Sequence, residues 1–111
     1  MDYSVRELED YTVIIKLEGD IDIYSSSDVQ DIVNEQIDIG NQRIIIDMED
    51  VHYIDSSGIG VFIAVLSTFK KVEGKMAMIK ITDTVKKVFE LTKLINFFPM
   101  YSTETEALEK L

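Results

Sequence analysis

The run Arg43-Ile44-Ile45-Ile46-Asp47-Met48 is apolar at consecutive rather than alternate positions. A strand with that pattern is buried on both faces and belongs in the centre of a sheet. Helices that connect parallel strands supply such cover. The residues that follow fit that requirement. Val51-His52-Tyr53-Ile54-Asp55-Ser56-Ser57-Gly58-Ile59-Gly60-Val61-Phe62 holds one acid, two adjacent hydroxyls and two spaced glycines. It leads into Ile59 to Val72, the most apolar helix candidate of the chain. A strand that hands small polar residues to a helix N-terminus is where α/β proteins place their working parts.

The flanking segments extend the pattern. Tyr3 to Leu8 alternates, stops at Glu9-Asp10, and Tyr11 to Leu17 resumes with β-branched residues. This predicts a hairpin with a two-residue turn, and Arg6 and Glu7 mark its first strand as an edge. Gly19-Asp20-Ile21-Asp22 ends the second strand, with Ile21-Asp22-Ile23 as a short extension. Ser25-Ser26-Ser27 offers N-caps for a helix carrying Val29, Ile32, Val33, Gln36 and Ile37 on one face, closed by Gly40-Asn41. Beyond the long helix, which closes at Glu73-Gly74, Met76 to Ile81 reads as a strand. Thr82-Asp83 caps a helix with Val85, Val88 and Phe89 inward. Phe97 to Tyr101 is a short strand that Pro99 pushes to an edge. Thr103-Glu104-Thr105-Glu106 is a capping-box pattern opening a last helix with Ala107, Leu108 and Leu111 on one side.

The element order is therefore ββ-α-β-α-β-α-β-α. It predicts one α/β domain over residues 1–111. The expected sheet is small, mixed and mostly parallel, with four to five strands, an opening antiparallel hairpin and about four helices.

Charge and composition narrow the function. The formal net charge of −10 argues against nucleic acid and against anionic membranes, whose phosphates it would repel. The chain has no cysteine, which excludes disulfides, thiolate chemistry and sulfur-ligated zinc. Its single histidine leaves no multi-histidine metal site, and no cofactor is expected. The N-terminus lacks an apolar signal region and no apolar run reaches transmembrane length, so a cytoplasmic location is expected.

At the junction the first question is whether Ser56 or Ser57 is a nucleophile. The nucleophile elbow needs Gly-x-Ser-x-Gly, and Ile54 or Asp55 stands where the first glycine belongs. His52, a few residues upstream, is the only imidazole and reads as a surface residue at a strand end. A phosphate cradle is weakly signalled, because neither a Walker sequence nor a full Gly-x-Gly-x-x-Gly is present. Asp20, Asp22 and Asp55 near strand ends invite a magnesium ion, but solvated acids in turns explain them better. One serine can simply be the helix N-cap. Gly58 and Gly60 in a first helical turn cost about 1 kcal/mol each relative to alanine, which close helix–sheet packing or close approach by another molecule would offset. The pattern suits a serine that is modified rather than catalytic.

The same stretch resembles the signature of STAS domains, specifically the bacterial anti-sigma factor antagonists, with Asp55-Ser56-Ser57-Gly58-Ile59-Gly60 after an apolar strand end. Leu17-Glu18-Gly19-Asp20-Ile21-Asp22, Asp47-Met48-Glu49-Asp50-Val51 and Val85-Lys86-Lys87-Val88-Phe89-Glu90-Leu91-Thr92 resemble further segments of that family. The resemblance implies a partner-switching module and no enzyme. Ser56 would be phosphorylated by an anti-sigma factor that is also an ATP-dependent serine kinase, and a serine phosphatase would restore it. Unphosphorylated, the protein would bind the kinase and free a sigma factor; phosphorylated, it would let go. The docking surface is then expected at Asp20, Asp22, Tyr24, Ser25, Asp55, Ser57, Gly58, Ile59, Gly60 and Phe62, with the core as the alternative place for Ile59 and Phe62, and with Asp55 orienting Ser56 or engaging the kinase. The free protein is expected to be a monomer. The rival readings are a STAS scaffold or relay for a different regulatory protein and a small-ligand or nucleotide binder.

Overall fold

Ile44, Ile45 and Ile46 have no exposed surface in the computed structural model, which describes residues 1–111. They lie in β3 (Arg43–Asp50), the middle strand of a five-stranded sheet ordered as in the sequence. β1 (Asp2–Glu7) pairs antiparallel with β2 (Thr12–Glu18). From β2 onward, β3, β4 (Lys75–Ile79) and β5 (Met100–Tyr101) are all parallel. The crossovers are α1 (Ser26–Ile39), α2 (Ser56–Lys71) and α3 (Asp83–Leu91), and α4 (Glu104–Lys110) follows β5.

Strand alternation sorts the core into two layers. Val13, Ile15, Ile44, Ile46, Met48 and Met78 share a cluster with Val29 and Val33 of α1, Phe62 and Phe69 of α2, and Phe89 of α3. The opposite face puts Ile14, Ile45, Ala77 and Ile79 against Ala107 of α4. Three helices thus cover one face and one short helix covers part of the other.

Three expectations change in detail. The hairpin turn is longer than two residues: the Leu8 N–H donates to the Thr12 carbonyl at 2.9 Å, leaving Glu9, Asp10 and Tyr11 in the loop. Asp10 and Tyr11 take the left-handed region without glycine, at φ 60° and 55°. β4 stops at Ile79, because Lys80 turns the chain at φ 55°. The strand expected from Phe97 shrinks to Met100–Tyr101, because burial of Phe98 wins. Its ring packs edge-on against Phe89, centroids 5.4 Å apart. As expected, β1 and β5 are the edges, Gly40 closes α1 at φ 112°, and Thr103 caps α4 by accepting the Glu106 N–H at 3.1 Å.

Candidate functional site

Two loops meet at the carboxyl ends of the parallel strands. Ile21, after β2, and Ile54, after β3, form a single parallel bridge. The Ile21 N–H donates to the Tyr53 carbonyl at 3.0 Å, and the Asp55 N–H to the Ile21 carbonyl at 3.1 Å. The bridge therefore fixes the start of α2 beside the loop that leads into α1.

Asp55, not a serine, caps α2. Its backbone is extended, at φ −108° and ψ −173°, as an N-cap requires. Its Oδ1 accepts the Ser57 N–H at 2.9 Å and the Gly58 N–H at 3.2 Å. The Ser57 hydroxyl donates to the same oxygen at 2.5 Å. That hydroxyl first, then the N–H groups of Gly58, Ser57 and Ile23, hold the Asp55 carboxyl below its ordinary value, against a desolvation effect of opposite sign. A carboxylate in this position also suits the positive end of the helix. Asp55 was expected to orient Ser56 or to engage a kinase. It orients Ser57 instead, because an N-cap side chain reaches the N–H groups two and three residues on.

The two serines consequently part ways. Ser57 is half-buried and its hydroxyl is committed. Ser56, the first residue of α2, is exposed and its hydroxyl makes no hydrogen bond within the chain. Ser56, Gly60, Ile63 and Ser67 recur at helical spacing and are all exposed, so they form one outward stripe of α2.

The glycines divide as well. A methyl group on Gly58 would stand 2.6 Å from Ile54 Cγ1, 2.8 Å from Ile21 Cγ2 and 3.0 Å from the Ile21 carbonyl oxygen. Gly58 is buried, and it lets the helix sit on the bridge. A methyl group on Gly60 would meet nothing within 4 Å beyond the helix's own backbone and chain neighbours, so Gly60 leaves the outward stripe open.

Opposite the helix start, the loop before α1 is locked by its own polar groups. Asp22 Oδ1 accepts the N–H groups of Tyr24 (2.9 Å) and Ser25 (3.2 Å). Ser25 Oγ donates to the Asp20 carbonyl (2.7 Å) and accepts the Asp22 N–H (3.1 Å). Ser25 stands at the N-cap of α1, yet its side chain closes this turn rather than capping the helix. The turn holds Ile23 and Tyr24 outward, 71% and 89% exposed.

Tyr24 was expected here from the sequence; Ile23 and the half-exposed Tyr53 were missed. The available signal was an isoleucine between an acid and a tyrosine, and a tyrosine between a histidine and an isoleucine, both outside any periodic pattern. For Ile59 and Phe62 the structure decides for the core over the docking surface, at 5% and 0% exposure. They share a stripe with Leu66 and Phe69 and support the surface from below. His52 is exposed. Asp20, Asp22 and Asp55 form no metal-holding group, nor do any other three His, Asp or Glu side chains.

Comparison with known proteins agrees with this fold. The sequence model of the STAS domain family matches residues 3–107. An anti-sigma F factor antagonist of Paenibacillus polymyxa is 28% identical over 104 residues, covering 89% of this chain and 86% of its own. The solved structure of the Thermotoga maritima protein TM1081 superposes with a TM-score of 0.88 at 25% identity, over 97% of this chain and 92% of that one. The anti-sigma factor antagonist SpoIIAA in its unphosphorylated form gives 0.81 at 26% identity, over 98% and 95%. The Bacillus SpoIIAA in the phosphorylated form gives 0.73 at 25%, over 98% of each.

Proposed function

The chain belongs to the STAS-domain family and resembles its anti-sigma factor antagonists, and from that premise we propose that it is a partner-switching regulator set by phosphate on Ser56. Unmodified, it docks on an anti-sigma factor that is also an ATP-dependent serine kinase, and so frees a sigma factor. Phosphorylated on Ser56, it releases that partner until a phosphatase removes the group. The ATP belongs to the partner.

The observation that carries this reading is the contrast between the serines. Ser56 presents a free, exposed hydroxyl at the helix start, while the Ser57 hydroxyl is spent on Asp55. A kinase can reach the first and would have to break a bond to reach the second. The docking surface of this proposal is Asp20, Asp22, Ile23, Tyr24, Ser25, Tyr53 and, on the outward stripe of α2, Ser56 and Gly60.

Phosphate adds about −1.5 to −2 charges at neutral pH. Within the chain, the Ser56 N–H has no other acceptor and the helix dipole favours an anion there. Both forms of SpoIIAA superpose on this chain, which supports a fold that tolerates the group. At an interface the new charge would stand beside the Asp55 carboxylate. Like-charge juxtaposition costs several kcal/mol, or about two to three orders of magnitude in affinity.

The test is to incubate the protein with candidate serine kinases of the anti-sigma type and ATP, then locate phosphate by mass spectrometry. Ser56→Ala abolishes labelling and Ser57→Ala does not. Ser56→Asp weakens binding of the kinase with little change in melting temperature. Labelling that survives Ser56→Ala and vanishes in Ser57→Ala overturns the assignment.

A further inference from the structure

Charge is unevenly spread along this chain. Residues 64–111 hold eight of the 11 cations but only six of the 21 acids. In space that half forms the β4, β5 and α4 side of the sheet and the C-terminal end of α2. Part of this surplus surrounds a cavity of about 320 Å³ at the end of the sheet where β4 and β5 begin. The cavity lies at the opposite end of α2 from Ser56, about 20 Å along the helix at 1.5 Å per residue.

The walls combine two chemistries. Leu66 and Phe69 of α2 and Met76 of β4 form an apolar floor. Lys70, Lys75 and Lys110 stand on the rim, and no acidic side chain lines the cavity. Glu73, the nearest acid in sequence, lines a neighbouring recess with Arg43 and with Leu111 and Lys75, the two residues that both hollows share. The ion pairs of the chain use Arg6, Lys16, Lys80 and the amino terminus, so the three rim lysines are unpaired. Lys70 lies over the Phe97 ring, 5.4 Å from its centroid.

Lys70 and Lys110 are in the last turns of α2 and α4, where cations complement the helix dipoles. That role does not exhaust the charge. Two helix C-termini contribute roughly −0.5 each and the main-chain carboxylate of Leu111, which also lines the cavity, about −1, which leaves about one of three positive charges uncompensated. Lys75 begins a strand and faces no helix end of its own. An apolar floor under a net positive rim is complementary to one kind of ligand: a small molecule with an apolar body and a single anionic head. The volume is at the small end of ligand sites, enough for a compact aromatic or a medium acyl chain.

We propose that this cavity binds a small amphipathic anion, such as a medium-chain carboxylate, at a site separate from the Ser56 surface. The floor buries the apolar body and the lysines hold the head. It does not depend on Ser56 being the phosphate acceptor.

The experiment uses the whole chain and three probes: 8-anilinonaphthalene-1-sulfonate, its uncharged relative N-phenyl-1-naphthylamine, and decanoate. The sulfonate binds saturably at one site, decanoate displaces it, and the uncharged dye binds more weakly. The Lys70→Gln, Lys75→Gln, Lys110→Gln triple variant keeps its circular dichroism and melting behaviour and loses at least about tenfold in affinity for the sulfonate. Amide chemical shifts move at residues 66–76 and 99–111 and stay still at 20–25 and 53–60. Shifts centred on Ile23 and Tyr24, or affinity unchanged in the triple variant, would overturn the proposal. So would binding to phosphatidylglycerol vesicles without binding of free decanoate, which would make the site a lipid-surface contact.

Discussion

Gly58 and Gly60 are two residues apart in the first turns of one helix, and replacing each by alanine should move stability in opposite directions. Both changes bring the same intrinsic gain, about 1 kcal/mol of helix propensity. At Gly60 nothing opposes it, since the added methyl group meets nothing within 4 Å beyond the helix's own backbone and chain neighbours. Gly60→Ala therefore stabilises by up to about 1 kcal/mol, or roughly 4 °C in a domain of this size. At Gly58 the methyl group lands 2.6 Å from Ile54 Cγ1 and 2.8 Å from Ile21 Cγ2, with the Ile21 carbonyl at 3.0 Å. Neither isoleucine can swing aside, because both are buried and their backbones are joined by the parallel bridge. Overpacking of a tight core costs about 1–3 kcal/mol, so the net for Gly58→Ala is a loss of up to about 2 kcal/mol. Urea unfolding of the three proteins, read at the midpoint with the slope held constant, checks both signs at once. If Gly58→Ala stabilises the domain as Gly60→Ala does, the contact between α2 and the bridge is looser than described. The account of why glycine stands there then fails.

Two further outcomes follow from the same loop. Tyr24→Ala removes a side chain that touches little of its own fold, so stability stays within about 0.5 kcal/mol, while affinity for the proposed anti-sigma partner falls by about 1–2 kcal/mol, roughly tenfold. Calorimetric titration against the partner with a parallel melt separates the two, and a fall in melting temperature without loss of affinity refutes the docking role. Asp55 has a lowered pKa in the folded chain, so its ionisation favours folding at neutral pH, and the contribution fades as pH falls through the acid range below its unfolded value near 3.8. Asp55→Asn keeps a capping oxygen but not the charge; the stability gap between it and the parent should be widest near pH 7 and narrow only as the pH falls below about 3.8, and a gap independent of pH refutes the charged-cap assignment.

Which parts of this molecule could be read from residues alone follows from how local the deciding forces are. The three consecutive isoleucines announced a strand buried on both faces, and β3 is that strand. Gly40 and Thr103 act through bonds within a few residues, and both do what their sequence context suggests. The left-handed Asp10 and Tyr11 were not legible, because the hairpin is set by strand register and imposes its turn on residues that do not favour it. Ser25 was legible as a helix start but not as the polar lock of a turn whose partners, Asp20 and Asp22, precede it.

The phase of α2 was written in the sequence and bears most on function. Ile59, Phe62, Leu66 and Phe69 recur at intervals of three and four, which puts Ser56 and Gly60 on the other side. A residue on the buried stripe cannot also meet a partner, so Ile59 and Phe62 leave the proposed docking surface, and the exposed apolar groups that remain nearby are Ile23, Tyr24, Tyr53 and Ile63. The cap sharpens the same division. An aspartate at the helix entrance must spend its oxygen on the N–H groups two and three positions on, which draws the second hydroxyl inward and leaves the first free. The choice between two adjacent serines thus reduces to cap geometry and helix phase, and both give Ser56 to the solvent.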